Sequence, residues 1–145
     1  HTSQEDHPPR HIIIRFSKAE MKIKNVPIPE VKEDWILVKI KAFGINRAEI
    51  FTRQGDSPSV KLPRVIGIEC VGVVEDPSNS DFKKGDKVFS MMNGMGRKFD
   101  GSYAEYILIL KNQVYRLPNE KSFFKNIDNI ELKNKEQLKE KFSEV

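Results

Sequence analysis

From Ile36 to Ala42 apolar and charged positions alternate, with Ile36, Val38 and Ile40 on one side and Leu37, Lys39 and Lys41 on the other. That is the period of a half-buried strand. Gly44 ends the pattern. Asn46 stands where a helix cap belongs, and Arg47 to Thr52 supply one or two helical turns before Gly55 and Pro58 close them. Strand chemistry resumes from Val65 to Val74, with Gly67 and Gly72 inside it, where glycine marks a bulge, a bend or a close backbone approach. Nearer the amino terminus, residues 12–16 and 21–26 read as two strands joined by a polar turn. Pro27 and Pro29 stop the second and confine it to an edge or a connection, since proline cannot donate to a sheet ladder.

Beyond Val74 the chain passes through an Asp-, Ser-, Pro- and Asn-rich loop at 76–81. Lys84-Gly85-Asp86 then forms a tight turn into a strand at 87–91. Residues 92–101 carry Gly94, Gly96 and Gly101 without a regular period, so an exposed loop is expected there. A strand follows at 102–110, with Tyr103 and Tyr106 as its aromatic core face. Asn112 and Gln113 turn the chain into a last strand, 114–117, which Pro118 ends. Many short strands separated by glycine and proline turns, with very little helix, predict a barrel-like all-β domain.

The flanks read differently. Residues 1–11 are polar, contain His1, His7 and His11, and are expected to be a disordered tail rather than a metal site. Residues 119–145 hold six basic and six acidic side chains. Asp128 and Glu131 resemble a capping box, and Leu138, Phe142 and Val145 share a helical face, predicting a short amphipathic helix around 129–142. It would dock on its own domain or on a partner.

Composition narrows the function classes. A chain of 145 residues holds one domain with its core. At 38% hydrophobic and 32% charged it is an ordinary soluble composition, and no apolar run approaches the roughly 20 residues of a membrane helix. A net charge of +4 from 25 basic and 21 acidic residues is too dilute for a nucleic-acid footprint. Cys70 is the only cysteine, which excludes an internal disulfide and suits a reducing, cytoplasmic setting. No signal or transit pattern is visible. Set in an apolar strand, Cys70 reads as a packed thiol rather than a nucleophile. Gly94-Met95-Gly96 supplies only half of a dinucleotide-binding G-x-G-x-x-G, with Phe99 where the third glycine belongs, so no cofactor site of that kind is expected.

Four blocks, VKIKAFGINRAEI at 38–50, LPRVIGIECVGVV at 62–74, FKKGDKV at 82–88 and GSYAEY at 101–106, are closed by VYRLP at 114–118. In that order they resemble the amino-terminal, GroES-like catalytic domain of the medium-chain dehydrogenases/reductases, and within them the zinc-independent quinone oxidoreductase branch. The resemblance implies a mainly β, partly open GroES-like barrel with a few short helices over residues 12–118. Zinc-dependent members place a Cys at the position of Asn46 and a His at that of Ile68, and the four-cysteine structural lobe is missing between Gly85 and Gly101, so no zinc is expected. The zinc-free relatives reduce a quinone or an activated carbonyl or alkene with NADPH, the protein orienting the substrate and polarising its carbonyl.

By that resemblance Asn46, Glu49 and Phe51 face the substrate cleft, and Asn46 also meets the nicotinamide end of the cofactor. Glu49 stands for a usual Asp. Phe51 replaces a frequent Tyr and so lacks its hydrogen-bond donor. Structural alternatives stand beside these roles: Asn46 as a helix cap, Glu69 as a buried carboxylate held by backbone amides, Arg53 and Arg64 as solvated surface charges, and Met91 and Met92 as core filling rather than substrate contacts. The implied protein is the catalytic portion of an NADPH-dependent oxidoreductase without its cofactor domain, inactive alone unless a homodimer or the tail completes the site. The alternative is a stand-alone GroES-like module that acts by association, co-chaperonins included.

Overall fold

The computed structural model describes residues 10–17, 20–54, 60–61 and 63–118. The segments 1–9 and 119–145, with the readings made of them, lie outside the described residues.

Among the described residues the chain forms eight strands and one α-helix. β1 (Arg10–Ser17) and β2 (Glu20–Pro27) form an antiparallel hairpin in which Arg10 pairs with Pro27. β1 therefore begins two residues ahead of the expected Ile12. Pro27 is the last residue of a strand at the sheet edge, where no ladder bond is asked of it. β3 (Trp35–Ala42) and α1 (Arg47–Gln54) stand where the sequence places them. β4 (Arg64–Val65), β5 (Glu69–Asp76), β6 (Lys87–Met91), β7 (Tyr106–Leu110) and β8 (Tyr115–Arg116) complete the set, with a single 3-10 turn at Lys111–Gln113. The strands make two antiparallel sheets, ordered β2-β1-β4 and β7-β3-β5-β6-β8.

The core lies against the five-stranded sheet. Ile36, Val38 and Ile40 of β3 pack with Cys70 and Val74 of β5, Val88 of β6, and Ile107 and Ile109 of β7. Leu37 is also buried, so β3 is covered on both faces at that point while Lys39 stays exposed. A second cluster, Val65, Ile66 and Tyr103, sits under Phe43 and Ile45 beside α1. The turn at Gly85 is as expected, with φ of +91°.

Three readings are corrected. The strand expected from Val65 to Val74 is two strands, because Gly67 at φ +112° turns the chain between β4 and β5. The strand expected from 102 starts only at Tyr106: residues 101–103 instead bond back to the end of β4 and the β4–β5 connection, Gly101 N–H donating to the Val65 carbonyl at 2.7 Å and Tyr103 N–H to that of Ile66 at 2.9 Å. Residues 92–101 are not simply an exposed loop either. Met95 is buried in the main core, and the backbones of Gly96 and Gly101 press on Gly67 so closely that a Cβ at either would lie 2.5 or 2.2 Å from the Gly67 carbonyl oxygen.

Candidate functional site

Asn46 precedes the first turn of α1 and Glu49 is the third residue inside it, the spacing at which a carboxylate can reach back to a helix's free N–H. Glu49 does so: its Oε2 accepts the Asn46 backbone N–H at 2.8 Å. The same carboxylate accepts the Ile68 N–H through Oε1 at 3.2 Å and the phenol of Tyr103 through Oε2. One side chain thus ties α1, the β4–β5 connection and the segment before β7 together. Both members of the pair are buried, Glu49 at 2% exposure and Tyr103 at 0%. Burial raises the Glu49 carboxyl above the ordinary carboxylate range, outweighing the hydrogen bonds from the Asn46 backbone, Tyr103, the Ile68 backbone and the Asn46 side chain that pull it down. Burial, and then the Glu49 charge, push the Tyr103 phenol well up, so it remains a donor.

This overturns the reading of Tyr103 and Tyr106 as one aromatic face. Residues three apart cannot share a face of a strand, and only Tyr106 lies in one. Tyr103 packs on Phe43 with ring centroids 4.9 Å apart and spends its hydroxyl on Glu49.

With its backbone N–H held by Glu49, Asn46 turns its side chain outward from the helix and donates from Nδ2 to Glu69 Oε1 at 3.3 Å. Its amide is therefore not an ordinary helix cap. Glu69, half-buried at the start of β5, lies against Gly44, whose missing side chain leaves the room: a Cβ there would sit 1.8 Å from Glu69 Oε1. The description expected for Glu69, a buried carboxylate held by backbone amides, belongs to Glu49.

Glu69 forms the acidic wall of a cleft of about 400 Å³ whose other sides include Phe43, Gly44, Val71, Met91 and Leu117. None of Asn46, Glu49 and Phe51 lines this cleft. Asn46 reaches it through Glu69, Glu49 stands behind Asn46, and Phe51 is 47% exposed on α1. Met91 and Met92 are exposed rather than core, and Met91 lines the cleft. The sequence signal for Met91 was its place at the end of an alternating strand, where its side chain leaves the core face occupied by Val88 and Ser90. Cys70 is a packed thiol as expected, pushed up to about 12 by burial and then by the Glu69 charge. Arg64 is not a solvated charge: it pairs with Asp100 at 3.4 Å, and its Nε finds no hydrogen-bond partner among the described residues. The Arg53 side chain lies outside the described residues.

Two antiparallel sheets with one short helix among the described residues suit a GroES-like domain. Residues 32–119 match the alcohol dehydrogenase GroES-like domain, and the chain belongs to that family, within the medium-chain dehydrogenase/reductase superfamily. The quinone oxidoreductase of Lama guanicoe is 39% identical over 103 residues, which are 69% of this chain and 29% of that protein. The chain thus spans less than a third of that relative's length. Among solved structures, the quinone oxidoreductase from Coxiella burnetii superimposes with a TM-score of 0.68 at 21% identity, over 77% of this chain and 38% of that one. A dehydrogenase of the zinc-binding type from Sinorhizobium meliloti 1021, bound to NADP, gives 0.68 at 24% identity over 77% and 39%. At these identities the two structures speak to the fold alone.

Proposed function

We propose that this chain supplies the substrate-orienting catalytic domain of a zinc-independent, NADPH-dependent quinone-reductase-like oxidoreductase. The observation that carries the proposal is the Asn46–Glu69 hydrogen bond, which fixes a carboxylate on the wall of an otherwise apolar cleft. A flat conjugated carbonyl compound fits such a cleft, with hydrocarbon against its ring and one polar group to set its orientation. The likeness to the llama quinone oxidoreductase supports the substrate class.

Zinc does not fit the residues present. Ile68 brings only hydrocarbon, the Asn46 amide is engaged by Glu69, and among the described residues no three His, Cys, Asp or Glu side chains come together. Of NADPH, these residues would meet the nicotinamide end only: the named strands pair antiparallel throughout, so the described residues contain no βαβ unit to receive a pyrophosphate. When bound, the cofactor supplies the hydride. This chain's residues do the positioning. Glu69 would accept a hydrogen bond from an ordered water, whose second hydrogen can be donated to the substrate carbonyl. The Asn46 side-chain oxygen, for which no partner is found among the described residues, would accept a hydrogen bond from the nicotinamide amide or from a substrate donor. Glu49 and Tyr103 hold Asn46 and Ile68 in place from behind.

Orientation of both reactants is what such a site contributes, and it can be worth roughly 7 to 11 kcal/mol of a barrier. The 145-residue chain alone is therefore expected neither to bind NADPH tightly nor to oxidise it with a small quinone. Joined to the cofactor-binding half of the llama relative, it should oxidise NADPH in a quinone-dependent way. Glu69→Gln in that fusion should lower kcat/KM about tenfold or more while leaving NADPH affinity unchanged. Turnover by the isolated chain, or a fusion that binds NADPH and is indifferent to Glu69→Gln, would overturn the proposal.

A further inference from the structure

A second cavity, of about 310 Å³, opens between the β1–β2 hairpin and β7 and shares no lining residue with the cleft at Glu69. Its walls include Val26, Pro29, Trp35, Phe99 and Ile107, and Lys32 stands among them. Trp35 and Phe99 meet edge to face at 5.4 Å between centroids, which fixes two aromatic walls at right angles.

The charges around it are unequal. Asp100 also lines the cavity, but its Oδ1 already accepts the Val65 N–H at 3.1 Å and pairs with Arg64. Asp34, two residues from Lys32, is held by Asn79 and Lys111. The Lys32 ammonium has only the Trp35 ring beneath it, at 4.8 Å, and no carboxylate partner among the described residues. Its backbone is anchored as well, the carbonyl accepting the Trp35 N–H at 3.1 Å and the Ser78 hydroxyl at 3.0 Å. The result is an apolar, aromatic-walled hollow with one fixed, uncompensated cation beside it.

We propose that this cavity is a binding site for a small aromatic carboxylate, whose ring lies among Trp35, Phe99 and Ile107 and whose carboxylate pairs with Lys32. Its volume is at the small end of ligand pockets, about 300–1,000 Å³, which limits the ligand to one or two rings. The site is independent of the proposed reductase activity and stands or falls separately from it.

Trp35 is the only tryptophan of the chain, so its emission reads this cavity directly. The probes are phenylacetate and its neutral counterpart phenylacetamide, titrated against the full chain with excitation at the tryptophan. Phenylacetate should give a saturable change in emission, with amide-resonance shifts in a parallel NMR titration gathered on residues 26–35 and 99–108. Phenylacetamide should bind more weakly. Lys32→Met, at an exposed position that does not threaten the fold, should weaken phenylacetate by roughly two- to fivefold, the range of an exposed ion pair, and leave phenylacetamide unchanged. Equal binding of acid and amide, an unaltered acid affinity in Lys32→Met, or shifts centred on Gly44 and Met91 would overturn the proposal. So would the absence of any saturable change, which would mean that the cavity is closed or held by another part of the chain.

Discussion

Glu49 concentrates the polar chemistry of this domain in one carboxylate, and its environment makes a testable demand on pH. Because burial raises its folded pKa above the unfolded value of about 4.3, the folded state binds the proton more tightly than the unfolded chain. Stability from this group is then fully present below the unfolded pKa and is lost as pH rises through the folded one. Glu49→Gln removes that titration and sets an amide NH2 against N–H donors, costing about 1–3 kcal/mol. Melting temperatures from pH 4 to 8 should therefore show the variant's deficit narrowing as pH rises; a deficit that widened would contradict the sign. The ligand positions give a second expectation at this scale. With Asn46 turned to Glu69 and hydrocarbon at Ile68, elemental analysis of tag-free protein is expected to find no stoichiometric zinc, and one tightly held zinc per chain would refute it.

At the scale of elements, β3 and β5 approach unusually closely where their register shifts between Ile40 and Ala42. A Cβ on Gly72 would lie 2.2 Å from the Lys39 carbonyl oxygen, a backbone atom that cannot step aside without parting the strands. Gly72→Ala is expected to destabilise the domain by about 2 kcal/mol or more, read from the urea midpoint at unchanged slope. The glycine was legible as a bulge, a bend or a close approach, but which of these it was, and against which backbone, was not. The same contrast holds at residues 92–104. Their glycines and lack of period identify irregular chain, whereas the bonds of Gly101 and Tyr103 to Val65 and Ile66 are made between segments some 36 residues apart, at separations no local pattern encodes.

For the molecule as a whole, the alternative of a ring-forming co-chaperonin makes a prediction of its own. Mass measurement in solution is expected to give a monomer or a dimer, and a stable seven-membered ring would sink the oxidoreductase reading. The exposed edge strand β2, with Lys22, Lys24 and Asn25 turned to solvent, carries the charges that discourage further strand addition. Sequence by itself determined most of the strands, though neither the break at Gly67 nor the late start of β7, together with the one α-helix among the described residues and the family, because alternation, capping residues and turn glycines are local signals and the motif blocks are linear. It also brought Asn46 and Glu49 forward as candidates, through the resemblance of the block at 38–50 to the family's motif. What only the tertiary structure decided was the division of labour. Glu49 is sealed behind the site by Tyr103, fifty-four residues away, while Glu69 takes the cleft wall. Which of two carboxylates is buried depends on what the rest of the chain packs over it, and that is a property of the folded surface rather than of either residue's neighbours.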